Sequence, residues 1–468
     1  MENNRFFIPD ELYIQGGKPA IGDIEISGAK NSILGLMCAA LLTNEKVTLN
    51  NVPNISDVLD LGDIMKDLGI DVKFQPAQKI LTIHAKKIKK NTLSEKVLKL
   101  RASYYLWGSL LTRFKNTGEF KDLKVLLPGG CGLGEKRKTD FHENLIKDIF
   151  GAEIKEEIIR DKPYLHLILP EKEPQSLNPI YATAKVSHGA TFHWLLSVAG
   201  SKNYKMMYNS SLEPEVSNLI GMLQSMGLEI DGNERTGIVH RGNKRGLLKG
   251  TEYNVIPDRL EAATYALFAF ATKGAIRLKG INYEHCAPWL SQLSQINQKG
   301  IYYSDDKTEV ILNFLEREKF EGVMMNISPF PGMETDVQQI WAPVLSLASS
   351  TSTIVDIIWP GRYISLEELQ NFGLKSTFKQ IDVDCGQGTK YKALVANIKP
   401  SKLHAGTAEG MDLRGTAALI LAASMTEGKS TIIKPEYSLR GYPNFIDNLK
   451  SLGINIKTSK SGRYIDTL

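Results

Sequence analysis

With 468 residues, 42% of them hydrophobic and 23% charged, the chain is long enough for more than one core and has the balance of a soluble globular protein. Its net charge of +5 is mild. Basic runs occur at residues 86–90 and 136–138 with acids interspersed elsewhere, which fits a small anionic substrate better than a nucleic-acid platform. The longest apolar stretches, residues 32–42 and 265–272, are too short to cross a bilayer. The opening MENNRFFIPDELYIQ has no basic segment leading into an apolar run, so neither a signal peptide nor a membrane partner is expected. Cys38, Cys131, Cys286 and Cys385 form no CxxC pair, which argues for reduced thiols in the cytoplasm and against a zinc knuckle.

In chain order, the first informative segment is ISGAKN at 26–31. A strand ends at its Ser-Gly, and a helix opens at Ala-Lys-Asn. Lys30 would therefore sit at a positive helix end, where a phosphate or carboxylate could satisfy it, or else be a solvated surface lysine. The helix it opens, KNSILGLMCAALLTN, is apolar on most faces and reads as buried. Next comes LGDIMKDLGIDVKF, an amphipathic helix stopped by Gly69 and followed by an alternating strand. The pair then recurs. Buried helices open at Arg101, Ser187, Asp258, Asp336 and Arg414. Stop glycines follow at Gly151, Gly227, Gly300, Gly373 and Gly453, at intervals of about 78 residues. Six such units suggest two domains of three, with a break near Pro257. A polar opener is either an N-cap or an anion contact; six in register favour a shared site.

Between the second buried helix and Gly151 lies LPGGCGLG at 127–134, four glycines around Cys131. Such a loop would expose its thiol, and Lys136, Arg137 and Lys138 just downstream favour the thiolate; the alternative is an incidental cysteine in a turn. Near the fifth buried helix, ETD at 334–336 offers Asp336 as a helix-end carboxylate or a general base. DLR at 412–414 and Arg440 in SLRGY supply Arg414 and Arg440 as a carboxylate or phosphate clamp, or as partners of structural ion pairs such as Asp412 with Arg414. CGQGTK at 385–390 is a weak glycine turn. No phosphate-binding GxxxxGK[ST] loop, no GxGxxG after a first strand and no HExxH is present, so no nucleotide redox cofactor and no metal are expected.

ISGAKN, RAS, PGGCxxG, KVSxGAT, IPDRxE, TD, DLR and RGY, running in that order from Ile26 to Tyr442, resemble the enolpyruvyl transferase family in its UDP-N-acetylglucosamine 1-carboxyvinyltransferase branch. The resemblance implies an α/β fold, the EPSP synthase-like inside-out α/β barrel, with two domains each of three βαβαββ units. Residues 30–256 would form the first domain. Residues 1–29 with 257–468 would form the second, and the active site would lie in the cleft between them. It implies addition of an acceptor hydroxyl to C2 of phosphoenolpyruvate, protonation at C3 and loss of phosphate, with no cofactor. Small-molecule substrates are the implied partners: phosphoenolpyruvate and a UDP-sugar or related nucleotide. By matching positions, Cys131 resembles the loop thiol that donates the proton and is alkylated by fosfomycin. Asp336 resembles the base near the acceptor hydroxyl. Lys30, Arg101 and Arg440 resemble the cations around phosphoenolpyruvate, with Asp412 and Arg414 beside them. Asn31, Asp140, Lys185, Ser187 and Gly189 resemble sugar-nucleotide contacts.

The sequence departs from that pattern on the acceptor side. The family's short GxRPxDxH run is GEKRKTDFH here, one residue longer and without proline, so Lys136 or Arg137 fills the arginine's place, with Arg137 preferred. IIWPGRY keeps Arg362, expected from the resemblance to bind substrate, in an altered context, and His188 occupies the variable position of KVSxG. These changes leave open an acceptor other than UDP-N-acetylglucosamine, and a sugar-nucleotide sensor without chemistry.

Overall fold

The six stop glycines all adopt the left-handed backbone that a helix C-terminus favours. Their φ angles are 86° at Gly69, 65° at Gly151, 92° at Gly227, 91° at Gly300, 85° at Gly373 and 87° at Gly453. The amphipathic helices that lead to them are Ser56–Asp67, Asp140–Phe150, Pro214–Ser225, Tyr283–Ile296, Ile364–Gln370 and Phe445–Ser451. The computed structural model describes residues 5–126, 140–159, 161–171, 179–182, 185–233, 237–359, 361–384 and 390–466. Among them, no helix is long and apolar enough to cross a membrane.

The other helical set is buried, as the apolar runs require. It comprises Lys30–Ala39, Tyr105–Thr117, His188–Val198, Arg259–Ala271, Thr335–Leu345 and Leu413–Met425. Every residue of Arg259–Ala271 is buried, and so are Leu413–Ser424 and Ala190–Val198. The openings bear on the sequence expectation in two ways. Arg101 does not begin a buried helix; it starts a 3-10 turn, Arg101–Tyr104, and the α-helix follows at Tyr105. Ser187 and Asp258 are N-caps. The Ser187 hydroxyl accepts from the Ala190 N–H at 3.3 Å, and an Asp258 oxygen accepts from Leu260 and Glu261 at 2.8 and 3.0 Å.

The chain divides into two compact units, one from residues 28–256 and one from residues up to 27 with 257–467. In both, the repeat builds four-stranded sheets with one motif. A strand, a buried helix and a parallel strand are followed by an outer helix and an antiparallel pair. Ile180–Ala182 lies beside Lys205–Tyr208, then Gly237–His240, then Ile230–Asn233. Met324–Ile327, Ser352–Asp356, Lys390–Lys399 and Lys375–Asp384 repeat that order in the other unit. The Asp122–Leu126 sheet has three strands, and a lone parallel bridge from Thr92 to Lys124 stands where its first would be.

Two strands are exchanged relative to the chain order. Ile21–Glu25 precedes the Lys30 helix but pairs with Ala275–Lys279, while Glu252–Asn254 precedes the Arg259 helix but pairs with Lys46–Asn50. Glu11–Gly16 completes the sheet of Thr407–Glu409, Gly428–Ile433 and Asn455–Thr458. Each unit has its own apolar core around its three buried helices.

One buried cation ties down the first of these helices. Arg113, 1% exposed, donates to the carbonyls of Leu41 and Thr43 at 3.2 and 2.9 Å, just past the end of the Lys30 helix. A bidentate pair with Glu119, at 2.8 and 3.0 Å, neutralises it.

Candidate active site

In the unit of residues 28–256, the candidate residues gather at helix openings. Lys30 is the first residue of its helix, after an extended Ala29 that supplies no side-chain cap. Its ammonium lies 2.8 Å from the buried carboxylate of Asp57, in the first turn of the Ser56–Asp67 helix. That pairing fixes the lysine at the helix N-terminus with most of its surface covered. Asn31 follows it, half-buried. Arg101 and Lys185 are also half-buried. Gly189, in the first turn of the His188–Val198 helix, is required by packing: a Cβ there would lie 2.4 Å from the Tyr104 hydroxyl.

Tyr104 opens onto a cluster that the sequence reading missed. Its ring stacks on His142 with centroids 3.7 Å apart. His142 Nδ1 lies 2.9 Å from Nδ1 of His193, which is buried in the middle of the His188–Val198 helix. Burial depresses both imidazoles, His193 to about 3 and His142 well below the usual histidine range, the latter aided by His193 and Arg101. The signal available in the sequence was a lone histidine inside the apolar run TFHWLLSV. Cys131 and Arg137 lie outside the described residues, as does the Asp140 side chain.

The depressed histidines set an acid limit on stability. A group whose folded pKa is below its unfolded value near 6.5 stabilises the fold only above that range, and the stability is lost as pH falls. Between pH 7.5 and 5, His193 alone should remove about 2 kcal/mol. Denaturant unfolding of wild type and His193→Leu at both pH values checks this: the gap between them should shrink by that amount at pH 5.

In the unit containing residues 257–467, Asp336 sits in the first turn of Thr335–Leu345 and pairs with the Arg362 guanidinium. Arg362 Nη1 also donates to Gln339 Oε1 at 3.1 Å, and Gln339 Nε2 donates to Asp412 Oδ1 at 3.2 Å. Asp412 is the N-cap of Leu413–Met425, accepting from the Gly415 N–H at 2.8 Å. Burial raises its carboxyl above the usual range, against the pull of Arg362. Asp356 shapes the approach. It accepts from the N–H groups of Ile358 and Trp359 and from the Thr335 hydroxyl, and Arg362 then lies over the Trp359 ring at 5.3 Å.

Arg414 is buried above Tyr442, 4.8 Å from the ring centroid, and its Nη1 has no hydrogen-bond partner among the described residues. Burial works against its charge, but Tyr442, Asp336 and Asp258 outweigh that and hold the guanidinium above its ordinary pKa. Glu261, in the first turn of the Arg259 helix, is pushed up to about 8 by burial and by Asp258 while it accepts from the Ser27 N–H at 3.0 Å. Arg440 closes the short helix Glu436–Leu439, half-buried. Asp336, Arg362 and Asp412 thus belong to one bonded network, through a Gln339 that the sequence reading did not single out. Within it one guanidinium serves two carboxylates, directly at Asp336 and through Gln339 at Asp412, which fixes Asp336 in place.

The fold thus repeats buried helices in both units, with cations and a carboxylate at or near their N-terminal ends. The chain belongs to the EPSP synthase (3-phosphoshikimate 1-carboxyvinyltransferase) family of enolpyruvyl transferases, whose model matches residues 14–449. It is 34% identical over 448 residues to UDP-N-acetylglucosamine 1-carboxyvinyltransferase 2 of Staphylococcus epidermidis, covering 96% of this chain and 98% of the relative. It is 32% identical to the UDP-N-acetylglucosamine 1-carboxyvinyltransferase of Thermotoga maritima, with the same two coverages. Among solved structures, the enolpyruvyl transferase NikO from Streptomyces tendae superposes with a TM-score of 0.80 at 21% identity, covering 96% of this chain and 99% of that one. EPSP synthase from Acinetobacter baumannii gives 0.63 at 16%, covering 96% of this chain and all of the other. These two likenesses bear on the fold, the two-domain inside-out α/β arrangement.

Proposed function

We propose that the protein transfers the enolpyruvyl group of phosphoenolpyruvate to a hydroxyl of UDP-N-acetylglucosamine and releases phosphate, as a cell-wall precursor enzyme. The observation that carries this is the end-to-end 34% identity to a UDP-N-acetylglucosamine 1-carboxyvinyltransferase. The acceptor oxygen adds to C2 of phosphoenolpyruvate while Asp336 takes its proton. Cys131 gives a proton to C3, forming a tetrahedral intermediate. Removal of a C3 proton then expels phosphate and restores the double bond. Lys30, Arg101 and Arg440 surround the phosphate and carboxylate, with Arg414 and Asp412 beside them, and Arg362 orients the Asp336 carboxylate. Asn31, Arg137, Asp140, Lys185, Ser187 and Gly189 serve the nucleotide.

Phosphate release from phosphoenolpyruvate with UDP-N-acetylglucosamine, with and without fosfomycin, tests the assignment. Turnover abolished by the epoxide is expected. Cys131→Asp should retain turnover and resist the drug, since a carboxyl can donate a proton but lacks the thiolate nucleophile. The altered GEKRKTDFH run and His188, whose ring packs on Phe192 with Nε2 4.0 Å from Glu213, favour a second reading, an enolpyruvyl transferase with a different nucleotide acceptor. Turnover with another uridine nucleotide and none with UDP-N-acetylglucosamine would establish it instead.

A further inference from the structure

Two neutral imidazoles whose Nδ1 atoms lie 2.9 Å apart share one proton, and its location fixes both tautomers. If His142 donates, His193 must carry its own proton on Nε2. That atom is buried with no hydrogen-bond partner among the described residues, and a buried orphan N–H is the costlier fault. If His193 donates through Nδ1, only a bare lone pair is left in the core. The helices pack closely there, since a Cβ added at Gly108 would lie 2.7 Å from His193 Cδ2. The second arrangement makes His142 an Nε2–H donor and an Nδ1 acceptor.

His142 is joined to the KVSxG turn by contact. Its ring stacks on Tyr104, whose hydroxyl sits against Gly189 Cα. We infer that His193 is a positioning residue that locks His142 as an Nε2–H hydrogen-bond donor for the nucleotide substrate, acting from inside the core without touching the ligand. This rests on the assignment of Lys185, Ser187 and Gly189 to the nucleotide. Because both imidazoles resist protonation, the donor should be a neutral one across the physiological range.

The test uses the full-length protein. Two-bond nitrogen–proton NMR correlations of 15N-histidine protein should show His142 protonated on Nε2 and His193 on Nδ1. Titration with UDP-N-acetylglucosamine alone, or UDP if that is silent, should show about tenfold weaker binding in His193→Leu. His193→Asn, which keeps an N–H donor at the Nδ1 position, should bind within a few-fold of wild type. A His142 proton on Nδ1, unchanged binding in His193→Leu, or no binding of either nucleotide to wild type overturns the inference. If the leucine variant does not fold, the wild-type tautomers and the asparagine variant still decide. Nucleotide binding without any turnover would sink the transferase reading while leaving this one standing.

Discussion

Asp336→Asn is expected to lower kcat for phosphate release by about 10²–10³-fold, with a smaller change in the KM for phosphoenolpyruvate. The amide keeps the size of the carboxylate and its place in the first turn of Thr335–Leu345, but it cannot accept the acceptor's proton. Arg362 retains its bond to Gln339, and Gln339 its bond to Asp412, so the network has support beyond Asp336. The competing view is that Asp336 serves only as the counterion of Arg362. It predicts the opposite pattern: a lower melting temperature with kcat almost unchanged. Steady-state kinetics and a thermal melt on one preparation separate the two.

Glu119→Ala should cost about 3 kcal/mol of stability, among the larger effects available to a single non-core substitution. Glu119 is the bidentate partner of a guanidinium that is 1% exposed and also satisfies the Leu41 and Thr43 carbonyls. Its removal leaves a buried cation without its anion, and the cation cannot be neutralised by losing a proton. Denaturant unfolding followed by tryptophan fluorescence, with Trp107 and Trp194 buried in the same unit, reads the change. A loss below about 1 kcal/mol would mean that water replaces the carboxylate.

Periodic features were legible in the sequence because they rest on local chemistry repeated six times. A glycine at a helix end needs only its own backbone freedom, and Gly69, Gly151, Gly227, Gly300, Gly373 and Gly453 all use it. The buried helices were equally visible, since apolar residues all round a helix leave no face for water. The helix openings were less so. Ser187 and Asp258 look like Lys30 as polar residues before an apolar run, yet two cap their own helices and the third pairs with Asp57. The choice depends on side-chain reach and on a partner elsewhere in the chain. Arg101 failed for a different reason, because one 3-10 turn delays its helix to Tyr105. Gln339, His142 and His193 were missed because each matters through a tertiary neighbour: Gln339 links Arg362 to Asp412, and the two histidines, 51 residues apart, meet only after folding.

The exchanged strands have a consequence for the order of assembly. Every sheet of the unit made from residues 28–256 is drawn from a single continuous stretch, the last strand being Glu252–Asn254. That unit can finish folding while the ribosome is still making the rest. Its companion cannot. Glu11–Gly16 must wait for Gly428–Ile433 and Asn455–Thr458, and Ile21–Glu25 must wait for Ala275–Lys279. During synthesis these two strands therefore stay without their sheet partners while several hundred residues are added, so the second unit's assembly is set by the order in which its pieces are made.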